Sequence, residues 1–326
     1  MKTVFVVNPE AGQGKNIDCL IQSINSTISK LKADAQVYIT KSIGDAEKYV
    51  KNFCEKIGPA RFIACGGDGT LNEVLNGAIQ SKGSEIGVVP IGTGNDFCRN
   101  FEKGSCFQDI EAQINGETVE CDAIKFSTST ENKEKEGYCV NMFNIGFDCN
   151  VADLTQDMKK KPFISGSLAY FVSILVTLIK KKGSNLKIEI DGKLVHNGKL
   201  LLTSVANGCY CGGGVKSNPL ASIKDGLISI NIIKNVTRRK LITILPHYMK
   251  GTHHSVSGIE KYIFTDKCEK VTVTPNDGGM RLCVDGEIVD AEKTQFEIVH
   301  NAFKFVVPRA EKMLAECSAE KIPELI

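Results

Sequence analysis

The sequence predicts an α/β chain of two domains: an N-terminal three-layer domain, in which helices cover a parallel sheet, followed by a β-rich domain of antiparallel strands. Three observations carry this prediction. Apolar runs and helical periods alternate over roughly the first 120 residues, which is the pattern of βαβ units. Glycine-bearing loops follow three of the early strands. Beyond about Val119 the pattern changes to short period-two runs punctuated by Asp-Gly turns. With 326 residues the chain is also too long for one ordinary core. The expected division is 1–123 and 124–304, with 305–326 returning to the first domain.

The elements follow in order. Thr3 to Val7 is a β-rich run, Ile17 to Leu31 has helical apolar spacing, and Val37 to Ile39 is extended. Asp45 to Glu55 reads as helix, Arg61 to Cys65 as strand, Leu71 to Ile79 as helix and Ile86 to Ile91 as strand. In the second domain Leu186 to Ile190, Leu200 to Ala206, Leu227 to Ile233, Val271 to Thr274, Met280 to Val284 and Phe296 to Val299 read as strands. The turns are Asp191-Gly192, Asp225-Gly226 and Asp285-Gly286. The polar Ser127 to Gly137 segment suits a mobile hairpin tip or loop, and Ala310 to Ile326 a terminal helix.

Composition narrows the function. The chain is 42% hydrophobic and 24% charged with a net charge of +2, which argues against a dedicated nucleic-acid binder. One lysine and the four apolar residues Val4 to Val7 precede Asn8-Pro9, so the start lacks a signal-peptide core and a cytoplasmic protein is expected. Thirteen cysteines, with no CxxC pair, fit neither a disulfide framework nor a zinc site. Phe163 to Ile179 is free of charge between Lys159-Lys160-Lys161 and Lys180-Lys181-Lys182. It is barely long enough to span a bilayer, so a core helix opened by Pro162 is expected there, with no transmembrane segment and a peripheral membrane contact as the alternative.

Gly66-Gly67-Asp68-Gly69-Thr70 sits between a strand and a helix. Glycines let backbone N–H groups approach phosphate oxygens, and one embedded carboxylate can meet the metal that accompanies a nucleotide. A second such loop, Gly92-Thr93-Gly94-Asn95-Asp96, follows the next strand. A third, Asn8 to Lys15, lacks the first glycine and the Ser/Thr of a P-loop, yet Gly12, Gly14 and Lys15 suit an anion. Loops at the carboxyl ends of parallel strands converge on one crevice. A dinucleotide fingerprint fails, because neither Gly67-Asp68-Gly69 nor Gly92-Thr93-Gly94 has the third glycine. Phosphoryl transfer requires charge neutralisation, positioning and a base. Asp68 and Asp96 end neighbouring strands and could share Mg2+ with a nucleotide triphosphate. Asp122 could join them, or could be a domain-junction turn; Glu287 follows the Asp285-Gly286 hairpin turn, where a solvated carboxylate is the alternative.

Taken together these motifs resemble the diacylglycerol kinase catalytic family, in its bacterial soluble lipid kinase branch with relatives among sphingosine and ceramide kinases. The matching elements are Asn8-Pro9 with Gly12 and Gly14-Lys15, Gly66 to Thr70 with Asn72-Glu73-Val74 and Gly77, and Pro90 with Gly92 to Phe97. Further along come Asn144 to Asp148, Gly212-Gly213-Gly214 before Pro219, Asp225-Gly226 and Asp285-Gly286-Glu287. The resemblance implies an ATP-dependent, Mg2+-assisted kinase of a lipid hydroxyl, its nucleotide and acceptor meeting between an α/β domain and an antiparallel β-sandwich. It implies Asp68 as the nucleotide and Mg2+ residue with Asp96 and Asp122 in support, Glu287 as general base, and a second, structural Mg2+ at Asp225. Asn8, Gly12, Lys15, Thr40, Gly66, Gly67, Gly69, Thr70, Thr93 and Asn95 would then line the nucleotide site. The Asn207 to Val215 loop, with Cys209-Tyr210-Cys211, and the charged Ser127 to Gly137 insert depart from the family's pattern, so the acceptor is not inherited.

Diacylglycerol is the first expectation for the acceptor, with monoacylglycerol, ceramide-like lipids, undecaprenol and phosphatidylglycerol open. The partner would be a lipid at the inner membrane surface, to which Lys159 to Lys161 would add about 1 kcal/mol each; an ordinary charged helix start is the alternative. A homodimer is the usual oligomeric expectation. Two rivals remain: an NAD kinase, which shares the GGDGT loop and a β-rich ending, and a non-catalytic nucleotide or lipid sensor.

Overall fold

A computed structural model describes residues 1–14, 16–101, 104–130, 133–146, 183–285 and 287–308, the side chains of Gln13, Ser105, Thr130, Lys133 and Glu287 excepted. Four parallel strands form the first sheet: β1 (Thr3–Val7), β2 (Ala35–Ile39), β3 (Arg61–Gly66) and β4 (Glu85–Pro90), in the order β2-β1-β3-β4. Their sequences are apolar on both faces, and β1 shows why. Val4 and Val6 join the core beneath α2 (Asp45–Lys56) and α3 (Asp68–Ala78), whereas Phe5 and Val7 join the core beneath α1 (Ile17–Leu31) and α4 (Ile110–Asn115). Two buried faces remove any use for alternation with polar residues. At the amino ends of the strands Arg61 pairs with Glu85 at 2.6 Å and donates to the last carbonyls of α4, Gln113, Ile114 and Gly116. That end is closed; the carboxyl ends are left for the loops.

The second unit is an antiparallel sandwich around Phe143, Ile188, Ile230, Val271, Leu282 and Phe296. Its strands are β5 (Glu117–Thr130), β6 (Lys133–Cys139), β7 (Met142–Gly146), β8 (Ser184–Ile190), β9 (Lys193–Ala206), β10 (Ile228–Lys234), β11 (Ile263–Cys268), β12 (Lys270–Pro275), β13 (Met280–Val284), β14 (Glu287–Ala291) and β15 (Thr294–Val307). Helix α5 (Arg238–Lys250) covers its outer face over Leu201, Leu202 and Ile233. The predicted fold class is thus present in both halves.

The two units are one continuous sheet. Strands β5 and β15 pair over almost their whole lengths, and the last part of β15 also runs parallel to β4, with Lys304 opposite Glu85 and Phe305 opposite Ile86. A register shift between Val299 and Phe303 bends this ribbon where it leaves the first unit. In the segment Ser127 to Gly137, expected as a mobile hairpin tip or loop, residues 127–130 and 133–137 are the paired arms of the β5–β6 hairpin. Strands β5, β6, β7, β11 and β14 and helices α4 and α5 are additions to the predicted elements. The expected helices near Phe163 to Ile179 and Ala310 to Ile326, and Lys159 to Lys161, lie outside the described residues. No helix among the described residues is long and apolar enough to cross a membrane.

Candidate active site

Three loops meet at the carboxyl ends of the parallel strands, as the topology demands. The β3–α3 loop and the β4 loop are tied directly, with the Ile91 and Gly92 N–H groups both donating to the Gly66 carbonyl. They touch so closely that a Cβ on Gly92 would lie 2.4 Å from the Gly67 Cα. Only glycine permits that approach. The third loop joins through Asn8, whose Nδ2 donates to Thr70 Oγ1 at 3.1 Å, and Gly12 lies against the Ile91 carbonyl. Thr40 follows from the adjacent strand, its N–H bonded to Val7 O. Asn8, Gly12, Gly66, Gly67, Gly69, Thr70 and the Thr93–Asn95 stretch therefore sit together, with Thr40 at the end of the neighbouring strand, while Lys15 lies outside the described residues.

Asp68, the first residue of α3, holds the two loops in register. Its Oδ1 accepts from the Asp96 and Phe97 N–H groups at 2.8 and 3.2 Å. Its Oδ2 faces Gly94: a Cβ there would be 2.8 Å from Asp68 Oδ2 and 3.4 Å from Asp96 Oδ2. Two carboxylates thus converge on one bare backbone position. Burial, then the charges of Asp96 and Asp285, push the Asp68 carboxyl up to about 7. Burial also raises Asp96, against the pull of the Gly213 N–H and of Arg99, whose Nε is 3.4 Å from Asp96 Oδ1.

The second unit contributes a third carboxylate, Asp285, which sequence reading treated only as a turn residue. It occupies the β13–β14 turn with φ 45°, and its side chain folds back into the junction. Asp285 Oδ1 accepts from Met142 N–H at 2.9 Å; Oδ2 accepts from Val140 N–H at 3.2 Å and from Asn72 Nδ2 at 2.9 Å. Glu287 is the next described residue, the first of β14 and paired with Val284. Asp285 is thereby tied to α3. Asparagines make most of this seam. Asn76, one turn beyond Asn72, bonds Tyr138 through both its amide groups. Asn100 accepts from Cys209 N–H, and Asn207 donates to the carbonyls of Asp122 and Val140. Gly213 closes the opposite side by donating to Asp96 Oδ2 at 2.8 Å. The readable signal was the Asn72/Asn76 spacing, which puts two amides on one helix face.

Asp122 and Asp225 are not part of this cluster. Asp122 is fully buried in the bend of the β5/β15 ribbon, where Oδ1 accepts from Asn301 N–H at 2.8 Å and pairs with His300 Nδ1 at 2.8 Å. Its Oδ2 accepts from Gly226 N–H at 2.7 Å. Both oxygens are occupied by protein donors, so the residue staples the bend. Asp225 is ion-paired to Lys267 at 2.6 Å and accepts from Leu227 N–H.

The donor set at Asp68 suits a divalent cation beside a polyphosphate. Burial disfavours the ionised forms of the Asp68 and Asp96 carboxylates, and Asn95 Oδ1 is buried without a hydrogen-bond partner. Among the described residues no three His, Cys, Asp or Glu side chains form a complete metal cage. Two carboxylates with open positions are what Mg2+ shared with phosphate oxygens requires.

Comparison with known proteins agrees with this geometry. Residues 2–126 match the diacylglycerol kinase catalytic domain family, and residues 141–307 match the YegS C-terminal NAD kinase beta sandwich-like domain family. The chain is 28% identical over 251 residues to a protein named diacylglycerol kinase from Bacillus subtilis (strain 168), covering 76% of this chain and 77% of the relative. It is 31% identical over 280 residues to "Probable lipid kinase YegS" of Escherichia coli O9:H4 (strain HS), covering 83% and 86%. A solved structure described as a diacylglycerol kinase from Bacillus anthracis str. Sterne superposes with a TM-score of 0.68 at 21% identity over 95% of this chain and 97% of that one, which shows the shared fold.

Proposed function

The chain belongs to the family built from the diacylglycerol kinase catalytic domain and the YegS-type β-sandwich, and on that premise we propose that it is a lipid kinase transferring the γ-phosphoryl group of ATP to a lipid hydroxyl, diacylglycerol first among acceptors. One observation supports the reading: Asp285, from the β13–β14 turn of the second unit, is tied to α3 and lies within electrostatic reach of Asp68, which converges with Asp96 at the glycine loops. A nucleotide-only site would need no hairpin from the second unit.

The backbone of Gly66 to Thr70, Gly12 and Thr93 to Asn95 would receive the triphosphate, with Asn8 fixing Thr70 beneath it. Asp68 and Asp96 would hold Mg2+, which when bound supplies charge neutralisation for the transferred phosphoryl group. Asp68 also positions the Asp96 loop through its bonds to two N–H groups. Asn72 and the Met142 and Val140 N–H groups hold the Asp285 turn, so that Glu287 enters β14 at a fixed point and would take the proton of the acceptor hydroxyl. Asp122 supports the bend that joins the two halves.

The test is transfer of labelled γ-phosphate to a panel of lipids in mixed micelles, with NAD as a parallel acceptor. Label on a lipid, lost in Asp68→Ala, is the expected result. Label on NAD would replace the reading with NAD phosphorylation, and ATP binding with no transfer to any acceptor would support a sensor.

A further inference from the structure

Helix α2 has no cap of its own. Gly44, at its N-cap, takes φ 79° and has no side chain to offer, while Asp45 Oδ2 accepts from Tyr38 O–H at 2.9 Å and from Lys41 N–H at 2.8 Å. The first N–H groups of a helix have no partner within it. Here they are met from another helix: Glu73 Oε1 accepts from Gly44 N–H at 2.9 Å, and Oε2 from Ala46 N–H at 3.1 Å. The dipole of α2 favours a carboxylate at that end. One turn further along α3, Gly77 lies so close to α2 that a Cβ would meet Glu47 O at 2.6 Å and Val50 Cβ at 2.8 Å, which sets the spacing of the two helices.

What Glu73 holds is loop 40–44. Thr40 N–H donates to Val7 O, which seats the start of the loop beside the end of β1. Near the other end Ile43 is 90% exposed, an apolar side chain left in water at the carboxyl end of the sheet. The strand order β2-β1-β3-β4 gives the loop its place. The glycine loops and the Asp68/Asp96 pair lie over β3 and β4, and on the far side the Asp96 loop meets Gly213 of the second unit. A nucleotide whose phosphates occupy the glycine loops therefore extends its sugar and base toward β1 and β2. Glu73 stands about 7.5 Å along α3 from Asp68, and two strand spacings, about 10 Å, separate β2 from β3. Those spans leave room for a ribose and base between the phosphates and the loop.

We propose that Glu73 is a positioning residue of the nucleotide site: it fixes loop 40–44 as the wall against which the sugar and base lie, with Ile43 meeting the base. This deepens the kinase reading and rests on it for the nucleotide as phosphoryl donor. Glu73 acts through the backbone of Gly44 and Ala46. Its neighbour Asn72 faces the second unit, so adjacent residues of α3 serve the donor and the acceptor sides of the cleft.

Equilibrium binding of ATP and of inorganic tripolyphosphate, each with Mg2+, is measured on the full chain, with transfer kinetics on the same preparations. Tripolyphosphate has the phosphates and lacks the nucleoside, so it separates the wall from the glycine loops. Glu73→Gln keeps one acceptor oxygen for two N–H groups and should lower ATP affinity about tenfold, with tripolyphosphate affinity held within about twofold. The same variant should raise KM for ATP by a like factor and leave kcat at saturating ATP near the parental value. Ile43→Ser, at a position that packs on no core, should lower ATP affinity about threefold and spare tripolyphosphate. If Glu73→Gln does not fold, the Ile43 variant decides the matter. Equal loss of ATP and tripolyphosphate affinity, a fall in kcat at unchanged KM, or parental ATP affinity in either variant would overturn the inference. A parent that binds ATP, with both variants behaving as expected, yet transfers phosphate to no lipid rejects the lipid-kinase reading and leaves the wall standing.

Discussion

Asp68 does two jobs with one carboxyl group, and its titration exposes them. Its folded pKa is raised to about 7 from an ordinary value near 3.8, so between those limits the folded chain holds a proton that the unfolded chain has released. The associated stability is complete at about pH 4 and is lost as pH rises through about 7; Asp96 and Asp285 are shifted in the same direction. Urea unfolding in chelator should show the parent weakening from pH 5 to pH 8, and Asp68→Asn should flatten that slope; an unchanged slope would contradict the burial argument. Asp122 makes the opposite prediction. Asp122→Ala removes the acceptor of the part-buried Gly226 and Asn301 N–H groups, at about 0.5–1.5 kcal/mol each. It should lower the melting temperature by several degrees and leave the Mg2+ dependence of turnover unchanged, whereas Asp96→Asn should shift the Mg2+ dependence. A residue's chemistry was legible in the glycine motifs, but its partners were not. Asp122 and Asp68 are the same residue type, and only the long-range pairing of β5 with β15 separates one held in the bend of a ribbon from one held between the glycine loops.

At the scale of elements, α3 is the hinge of the site. Its first residue is Asp68, and Asn72 and Asn76, on one face, bind Asp285 and Tyr138 of the second unit. Asn72→Ala should therefore lower kcat about tenfold or more by freeing the hairpin that carries Glu287, with ATP affinity held within about twofold, because the glycine loops do not depend on it. Equal loss of both, measured by turnover and by equilibrium nucleotide binding, would place Asn72 in the nucleotide site instead. Gly94→Ala tests the opposite wall: its Cβ would meet Asp68 Oδ2 at 2.8 Å, so metal-dependent activity should fall while the fold survives. The parallel strands and α1 to α3 were legible because continuous apolar runs and helical periods agree there with local turn chemistry. The polar strands β5 and β6 were not, because residues 127–130 and 133–137 gain their extended form from their ladder and not from their own propensities. Helix α5 was hidden by a cation-rich sequence containing Pro246.

In the whole molecule, one ribbon makes the two halves a unit. Strands β5 and β15 enter the sandwich and return beside β4, and Asp122 fixes their bend, so the relative placement of glycine loops and hairpin is set by a continuous hydrogen-bond ladder. Fold class and a return of the chain to the first domain from residue 305 were expected from the sequence, whereas the ladder of β15 with β5 and β4 was not, since no local signal selects those partners. The ribbon and the asparagine seam hold the Asp285 turn against α3, and the account stands on Glu287, two residues on, acting on the acceptor. The most direct measurement is single-turnover transfer of labelled γ-phosphate to diacylglycerol by Glu287→Gln, with ATP binding recorded on the same preparation. The account predicts parental ATP binding and a transfer rate lowered at least about a hundredfold; a parental transfer rate would contradict it.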